Sequence, residues 1–132
     1  MAQDTKYITV NPGTMPGDGD LAYVGQVYDG YGGITIKEVT FSSGVAGTLD
    51  IILMKYGSAG TVAGNTIAHF ATGTAKVVAA DTPVDVPITA AEAFCDEGEH
   101  LFLKKLEAAA GNDLTADACV CIAFVDGIAS DA

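Results

Sequence analysis

The stretch Ala116-Asp-Ala-Cys-Val-Cys-Ile-Ala-Phe-Val125 decides the fold. In an extended chain, successive side chains point to opposite faces. Ala118, Val120, Ile122 and Phe124 then share one face, and Cys119, Cys121, Ala123 and Val125 the other. A run this apolar on both faces predicts a strand inside a sheet. Working back along the chain, Glu99 to Leu106 places Leu101 and Leu103 on one face, with His100, Phe102 and Lys104 opposite. Gly111-Asn-Asp113 lies between the two runs, so they are expected to form an antiparallel pair.

The rest of the chain repeats this pattern of short runs and turn residues. Thr48 to Tyr56 (TLDIILMKY) is the most apolar run and is placed at a sheet centre. Ile34 to Phe41 starts with Ile34 and Ile36 in phase and ends with Val39 and Phe41 out of phase, which predicts a bulge near Lys37-Glu38. Leu21 to Tyr28 is a further strand that Gly25 interrupts as a bulge or bend would, and Ile67 to Ala71 is a brief one. Val84, Val86 and Ile88 alternate, but Pro83 and Pro87 confine that strand to an edge. Thr89 to Cys95 (TAAEAFC) fits one helical turn, capped by Thr89 with Glu92 three residues on.

About eight short strands with turn signals between them predict an all-β, two-sheet antiparallel β-sandwich, with an eight-strand jelly roll the best fit. An immunoglobulin-like sandwich fits less well, because there is no Trp and no cysteine pair at the inter-sheet separation. Leu49, Ile51, Leu53, Leu101, Leu103, Val120, Ile122 and Phe124 are the expected core. Residues 1–20 are expected to be an extended N-terminal arm or loop, and 21–132 the sandwich domain. Lys6 to Val10 reads as extended; Asn11 to Asp20, with two prolines and three glycines, is too broken for a core element.

Composition narrows the function. The 132 residues suit one domain, and 49% apolar against 17% charged residues supply a core. The net charge is −11, all basic residues are lysines, and arginine is absent. Phosphate recognition favours the bidentate guanidinium, and nucleic acid demands a basic patch. Nucleic acid and anionic membranes are therefore not expected partners. No apolar run approaches the ~20 residues of a membrane span. Met1 to Lys6 lacks the apolar region of a signal peptide, and three cysteines cannot close a disulfide framework among themselves, so synthesis in a reducing cytoplasm is expected.

No arrangement of reactive residues is complete. Cys119-Val-Cys121 with Cys95 and a histidine lacks the spacing of structural zinc sites, so the thiols are expected to pack as small apolar groups. His69 and His100 have no nucleophile and orienting acid at suitable spacing. Asp18-Gly-Asp20 and Asp96-Glu-Gly-Glu99 lack the calcium-loop pattern and read as acidic turns. Gly57-Ser-Ala-Gly60 and Gly30-Tyr-Gly-Gly33 lack the residues of a phosphate loop. No catalytic residue, metal or cofactor is therefore expected, and the chain reads as a binding protein, not an enzyme. Tyr23, Tyr28 and Tyr31 offer stacking faces for a sugar.

Several pieces between Ile34 and Val125 follow one another in a familiar order: Ile34-Thr-Ile-Lys-Glu-Val-Thr-Phe41, Thr48 to Tyr56, the loop Gly57 to Asn65, Asp81-Thr-Pro-Val84, Glu97-Gly-Glu-His-Leu101 and Leu114 to Val125. This order resembles the small head decoration (cement) proteins of tailed bacteriophages. The resemblance implies a jelly roll, commonly trimeric, that binds the major capsid protein on the outer surface of the virion and stabilises the shell, with no catalytic residues to carry over. On this reading the arm residues Asn11, Pro12, Met15 and Pro16, together with Tyr28 and Tyr31, are the expected capsid or subunit contacts. The alternative is a jelly-roll module of a phage tail or receptor-binding fibre that holds carbohydrate on its tyrosines. A small hydrolase on a sandwich scaffold, dependent on His69 or His100, is a third and weaker reading.

Overall fold

The alternation of the C-terminal run is realised as strand β10 (Cys119–Asp126), which pairs with β1 (Lys6–Val10) on one side and β3 (Ile34–Ser42) on the other. The computed structural model describes residues 4–12, 21–28, 30–44, 46–56, 65–69, 76–106 and 118–127. The further strands are β2 (Leu21–Gln26), β4 (Gly47–Tyr56), β5 (Asn65–His69), β6 (Lys76–Val78), β7 (Val84–Asp85), β8 (Phe94–Cys95) and β9 (His100–Leu106). One sheet runs β1-β10-β3-β7, with β8 also on β3; the other runs β2-β9-β4-β5, with β6 also on β4. Every named strand pair is antiparallel.

The order of these pairs identifies the fold. β1 pairs with β10, β2 with β9, β3 with β7 and β8, and β4 with β5, each pair nested inside the one before. They form one long antiparallel ribbon with its tip at β4–β5. The ribbon is rolled so that β10 also meets β3 and β9 also meets β4. This is a jelly-roll sandwich of two sheets, as expected.

The expected β9–β10 hairpin does not form, because these strands lie in opposite sheets. In a rolled ribbon each strand pairs with its counterpart on the other arm, and sequence neighbours alternate between sheets. The stretch joining them is also far longer than the ~2–5 residues of hairpin loops.

Both expected bulges are present and keep the core face apolar. In β3, Ala123 faces Glu38 and Phe124 faces Ile36, so Lys37 is left without an opposite number. Ile34 and Ile36 before it, and Val39 and Phe41 after it, are therefore all buried. In β2 the register shifts between Tyr23 and Gly25. Ala22 and Val24 pack on the core and Val27 is buried, while Leu21 and Tyr23 turn outward.

Of the expected core, Ile51, Leu53, Leu101, Leu103, Val120, Ile122 and Phe124 are buried. The side chain of Leu49 lies outside the described residues. Phe41, Ile67, Val39 and Val78 complete the centre. Ile122→Ala is expected to lower stability by about 2–5 kcal/mol, read from the denaturant midpoint, because the closed sandwich cannot collapse around the cavity. A cost within 0.5 kcal/mol, the range of about ±0.5 typical of surface changes, would contradict its central position. Of segment 1–20, Lys6–Val10 forms the edge strand β1, whose Ile8 and Val10 pack on the core. Residues 13–20 lie outside the described residues.

The stretch from Val84 to Thr89 crosses from one sheet to the other. Val84 and Asp85 pair with β3, and Val86 N donates to Val39 O at 2.8 Å. Then Ile88 bridges Ala68, His69 N donates to Pro87 O at 3.0 Å, and Thr89 N donates to Ile67 O at 2.8 Å. The expected helical turn follows as a 3₁₀ turn over Ala90–Glu92, but Thr89 makes no side-chain cap bond. Glu92 turns instead toward Lys55, with Oε2 at 3.4 Å from Nζ.

Lys55 sits on the inner face of β4, in phase with Ile51 and Leu53, and only 7% of it is exposed. Its Nζ donates to Glu92 O at 3.1 Å and Phe94 O at 2.6 Å. A buried ammonium must be paired and hydrogen-bonded. Here the pairing ties β4 of one sheet to the chain entering β8 of the other.

Candidate interaction surfaces

Two groups of exposed or half-buried aromatic side chains stand out, one at an end of the sandwich and one on a sheet face. The first forms where the start of β1, the loop between β2 and β3, and the end of β10 converge. Tyr28 and Tyr31 meet edge to face, with ring centroids 5.1 Å apart. Lys6 Nζ lies 5.8 Å from the Tyr28 ring centre and 5.3 Å from that of Tyr31, within cation–π range. It also pairs with Asp126 at 2.5 Å, and the Tyr28 hydroxyl donates to the other oxygen of Asp126.

The loop bearing these tyrosines is held by the acidic turn between β8 and β9. Glu97 accepts from Gly32 N at 2.9 Å and from Gly30 N at 3.3 Å. Asp96 N donates to Glu99 Oε1 at 2.7 Å, and Glu97 N donates to Asp96 Oδ1 at 2.8 Å. The carboxylates weighed above as a calcium loop thus accept backbone N–H groups. Asp18-Gly-Asp20 lies outside the described residues.

The charges at this end are mutually adjusted. The hydrogen bond from Lys6, then that from Tyr28, holds the Asp126 carboxyl below the usual carboxylate range. The hydrogen bond to Asp126 raises Lys6, and burial, followed by the bond to Asp126, raises Tyr28. A depressed carboxyl contributes stability above its unfolded value and loses it as pH falls through the folded one. A raised lysine contributes below its unfolded value and loses it as pH rises further. The pair therefore holds β1 across the neutral range. Amide exchange in Lys6–Val10 is expected to accelerate, relative to β10, once pH drops below the usual carboxylate range. An unchanged ratio at that pH would contradict this anchor.

The second group covers the outer face of the sheet β2-β9-β4. Tyr23 stands opposite Phe102, and Phe102 opposite Met54; Leu21 stands opposite Lys104, and Lys104 opposite Ile52. Tyr56 faces His100 across the ladder. Phe102 packs edge-on against Tyr23 and Tyr56, with centroids 5.1 and 4.9 Å apart. The Tyr23 hydroxyl and His100 Nδ1 share a hydrogen bond of 2.9 Å. Leu21 and Tyr23 are 52% and 54% exposed, although the outer face of such a sheet normally carries polar residues. The sequence held part of this signal, since Phe102 and His100 share a parity; the pairing that sets Tyr23 and Tyr56 beside them is not local.

The contact residues expected from sequence do not form one patch. Tyr28 and Tyr31 lie together near Lys6 at one end of β1. Asn11 and Pro12 follow its other end, roughly 14 Å away at ~3.4 Å per residue. Met15 and Pro16 lie outside the described residues. Of the thiols, Cys95 is in the core as expected, but Cys119 and Cys121 sit partly exposed on the outer face of β10 because Val120 and Ile122 take the inner positions. Burial raises the Cys95 thiol to about 12. A thiol-specific chromogenic reagent at mildly alkaline pH is expected to modify Cys119 and Cys121 in the folded protein and Cys95 only after denaturation. Modification of all three at one rate would contradict the burial of Cys95.

Among the described residues no group of three or more His, Cys, Asp and Glu is placed to hold a metal ion. No helix among them is long and apolar enough to cross a membrane. No protein-family model matches the chain, and no curated protein matches it. Among solved structures, a chain from the structure of infectious bursal disease virus, Gx strain, aligns at 13% identity and a TM-score of 0.38, covering 96% of this chain. This chain spans 38% of that neighbour's length. At that score the likeness carries no argument about function, and the jelly roll rests on the strand pairings.

Proposed function

We propose that this protein is a non-enzymatic structural component of a virion, a tailed-phage head decoration (cement) protein. It binds the major capsid protein on the outer surface of the shell and reinforces it, working as a homotrimer. The observation that carries this reading is the apolar surface a small jelly roll leaves in solvent on one sheet face, where Leu21 and Tyr23 are exposed beside Phe102. Clustered exposed apolar surface marks contact with other macromolecules. The net charge of −11 without arginine suits an outer position, away from packaged DNA. Three modest contacts in one trimer gain by effective concentration, so weak single sites give stable attachment.

The test uses the intact protein and shells assembled without it. Saturable co-sedimentation and raised resistance of the shells to heat are expected, with a trimer mass by light scattering. Absence of binding, or binding to a glycan array abolished by Tyr28→Ala or Tyr31→Ala, would replace this reading with the fibre module. A deletion that probes the N-terminal segment must spare Lys6–Val10, because that strand belongs to the sheet.

A further inference from the structure

We infer that the outer face of the sheet β2-β9-β4 is the surface that meets the shell, and that it takes an apolar protein surface with an acidic rim. This rests on the decoration reading above and names the site of contact.

The composition of the face selects a protein as its occupant. A sugar site surrounds its stacking rings with hydrogen-bonding side chains. Here the rings of Tyr23, Phe102 and Tyr56 stand edge to face, so they offer no flat platform. Their neighbours Leu21, Ile52 and Met54 offer no hydrogen bond. Aromatic and Met side chains at the centre of a patch are instead the composition of protein interfaces.

Size decides between a second copy and a repeated partner. Three strands at ~4.8 Å spacing and five residues at ~3.4 Å cover about 240 Å² in projection. That is far below the ~800 Å² per partner of a stable pair. Such a face is suited to a contact repeated on a lattice, where several weak sites act together.

Charge sets the rim. In a chain of net charge −11, Lys104 is the formally charged side chain described on this face, with His100 farther along the same side of β9, beyond Phe102, and His69 opposite Ile52. The side chain of Asp50, at the start of β4, lies outside the described residues. A partner bringing carboxylates to Lys104 is attracted there and repelled elsewhere on the molecule.

The experiment measures binding of five proteins to shells assembled without this chain: the intact protein, Tyr23→Ala, Lys104→Glu, Leu21→Glu and Tyr31→Ala. Leu21 holds an exposed edge position of the face, and melting temperatures verify that each protein is folded. Tyr23→Ala is expected to weaken binding about thirtyfold, as loss of an aromatic anchor does. Lys104→Glu and Leu21→Glu are expected to weaken it about tenfold or more. Tyr31→Ala should bind as the intact protein does. Intact binding with Tyr23→Ala, Lys104→Glu and Leu21→Glu all unchanged would overturn the inference and leave the decoration reading standing. Loss of binding in Tyr31→Ala alone would move the contact to the end of the sandwich and overturn it too. Failure of the intact protein to bind would overturn both.

Discussion

Gly33→Ala is expected to cost about 3–5 kcal/mol, with the unfolding midpoint falling accordingly. Gly33 opens β3 with φ at +87°, in the left-handed region. A side chain there costs about 1–2 kcal/mol by itself. The larger contribution is steric, because an added Cβ would stand 2.5 Å from Cys95 O and 2.8 Å from Phe94 Cζ. The carbonyl cannot retreat cheaply, since Cys95 pairs with Ile34 in the same ladder, whereas the tip of the Phe94 ring can turn aside. Gly127 N also donates to Gly33 O at 2.7 Å, which fixes the residue from the other side. Gly30→Ala is the control: its φ is +100°, but nothing lies within 4 Å of the added Cβ. That change should cost about 1 kcal/mol, the conformational part alone. Equal destabilisation by the two substitutions would show that β8 does not press on Gly33.

Lys55→Met is expected to cost about 3 kcal/mol, although methionine fills nearly the same volume. Replacing a buried ion pair by apolar groups is often neutral. Here the partners decide otherwise, because two of them are backbone carbonyls that no substitution removes. Glu92 O and Phe94 O would each lose a bond to a charged donor, worth about 1.5–3 kcal/mol. Water reaching the vacated carbonyls offsets part of that loss. The Glu92 side chain is 35% exposed, so Glu92→Gln should cost less than about 1 kcal/mol. Denaturant titration of the two variants checks the order. A Lys55→Met protein as stable as the parent would mean that the two carbonyls find other donors.

Much of the fold was legible because strand parity is a local property. The inner positions of β4, β9 and β10 follow from alternation, as do the bulges at Lys37 and after Tyr23, where the pattern changes phase. The partners of those strands were not legible. β9 and β10 read as a hairpin since they are successive and separated by Gly111-Asn-Asp113, whereas the roll sends them to opposite sheets. The inward position of Lys55 was available from its parity with Ile51 and Leu53; its acceptors at Glu92 and Phe94 are nonlocal. The same division applies to the surface. Tyr28 and Tyr31 were visible as nearby aromatic residues, and the structure adds Lys6 and Asp126 to them. The Tyr23–Phe102–Tyr56 group needed the order β2-β9-β4, which only the tertiary pairing supplies.

The most direct measurement is the density of shells saturated with the protein, at a resolution that shows the two sheets. A jelly roll is expected on the outside of the shell, with the β2-β9-β4 face against it and the Tyr28–Tyr31 end in solvent. No added density outside the shell, or a sandwich standing on its β1-β10-β3 face, would contradict that expectation.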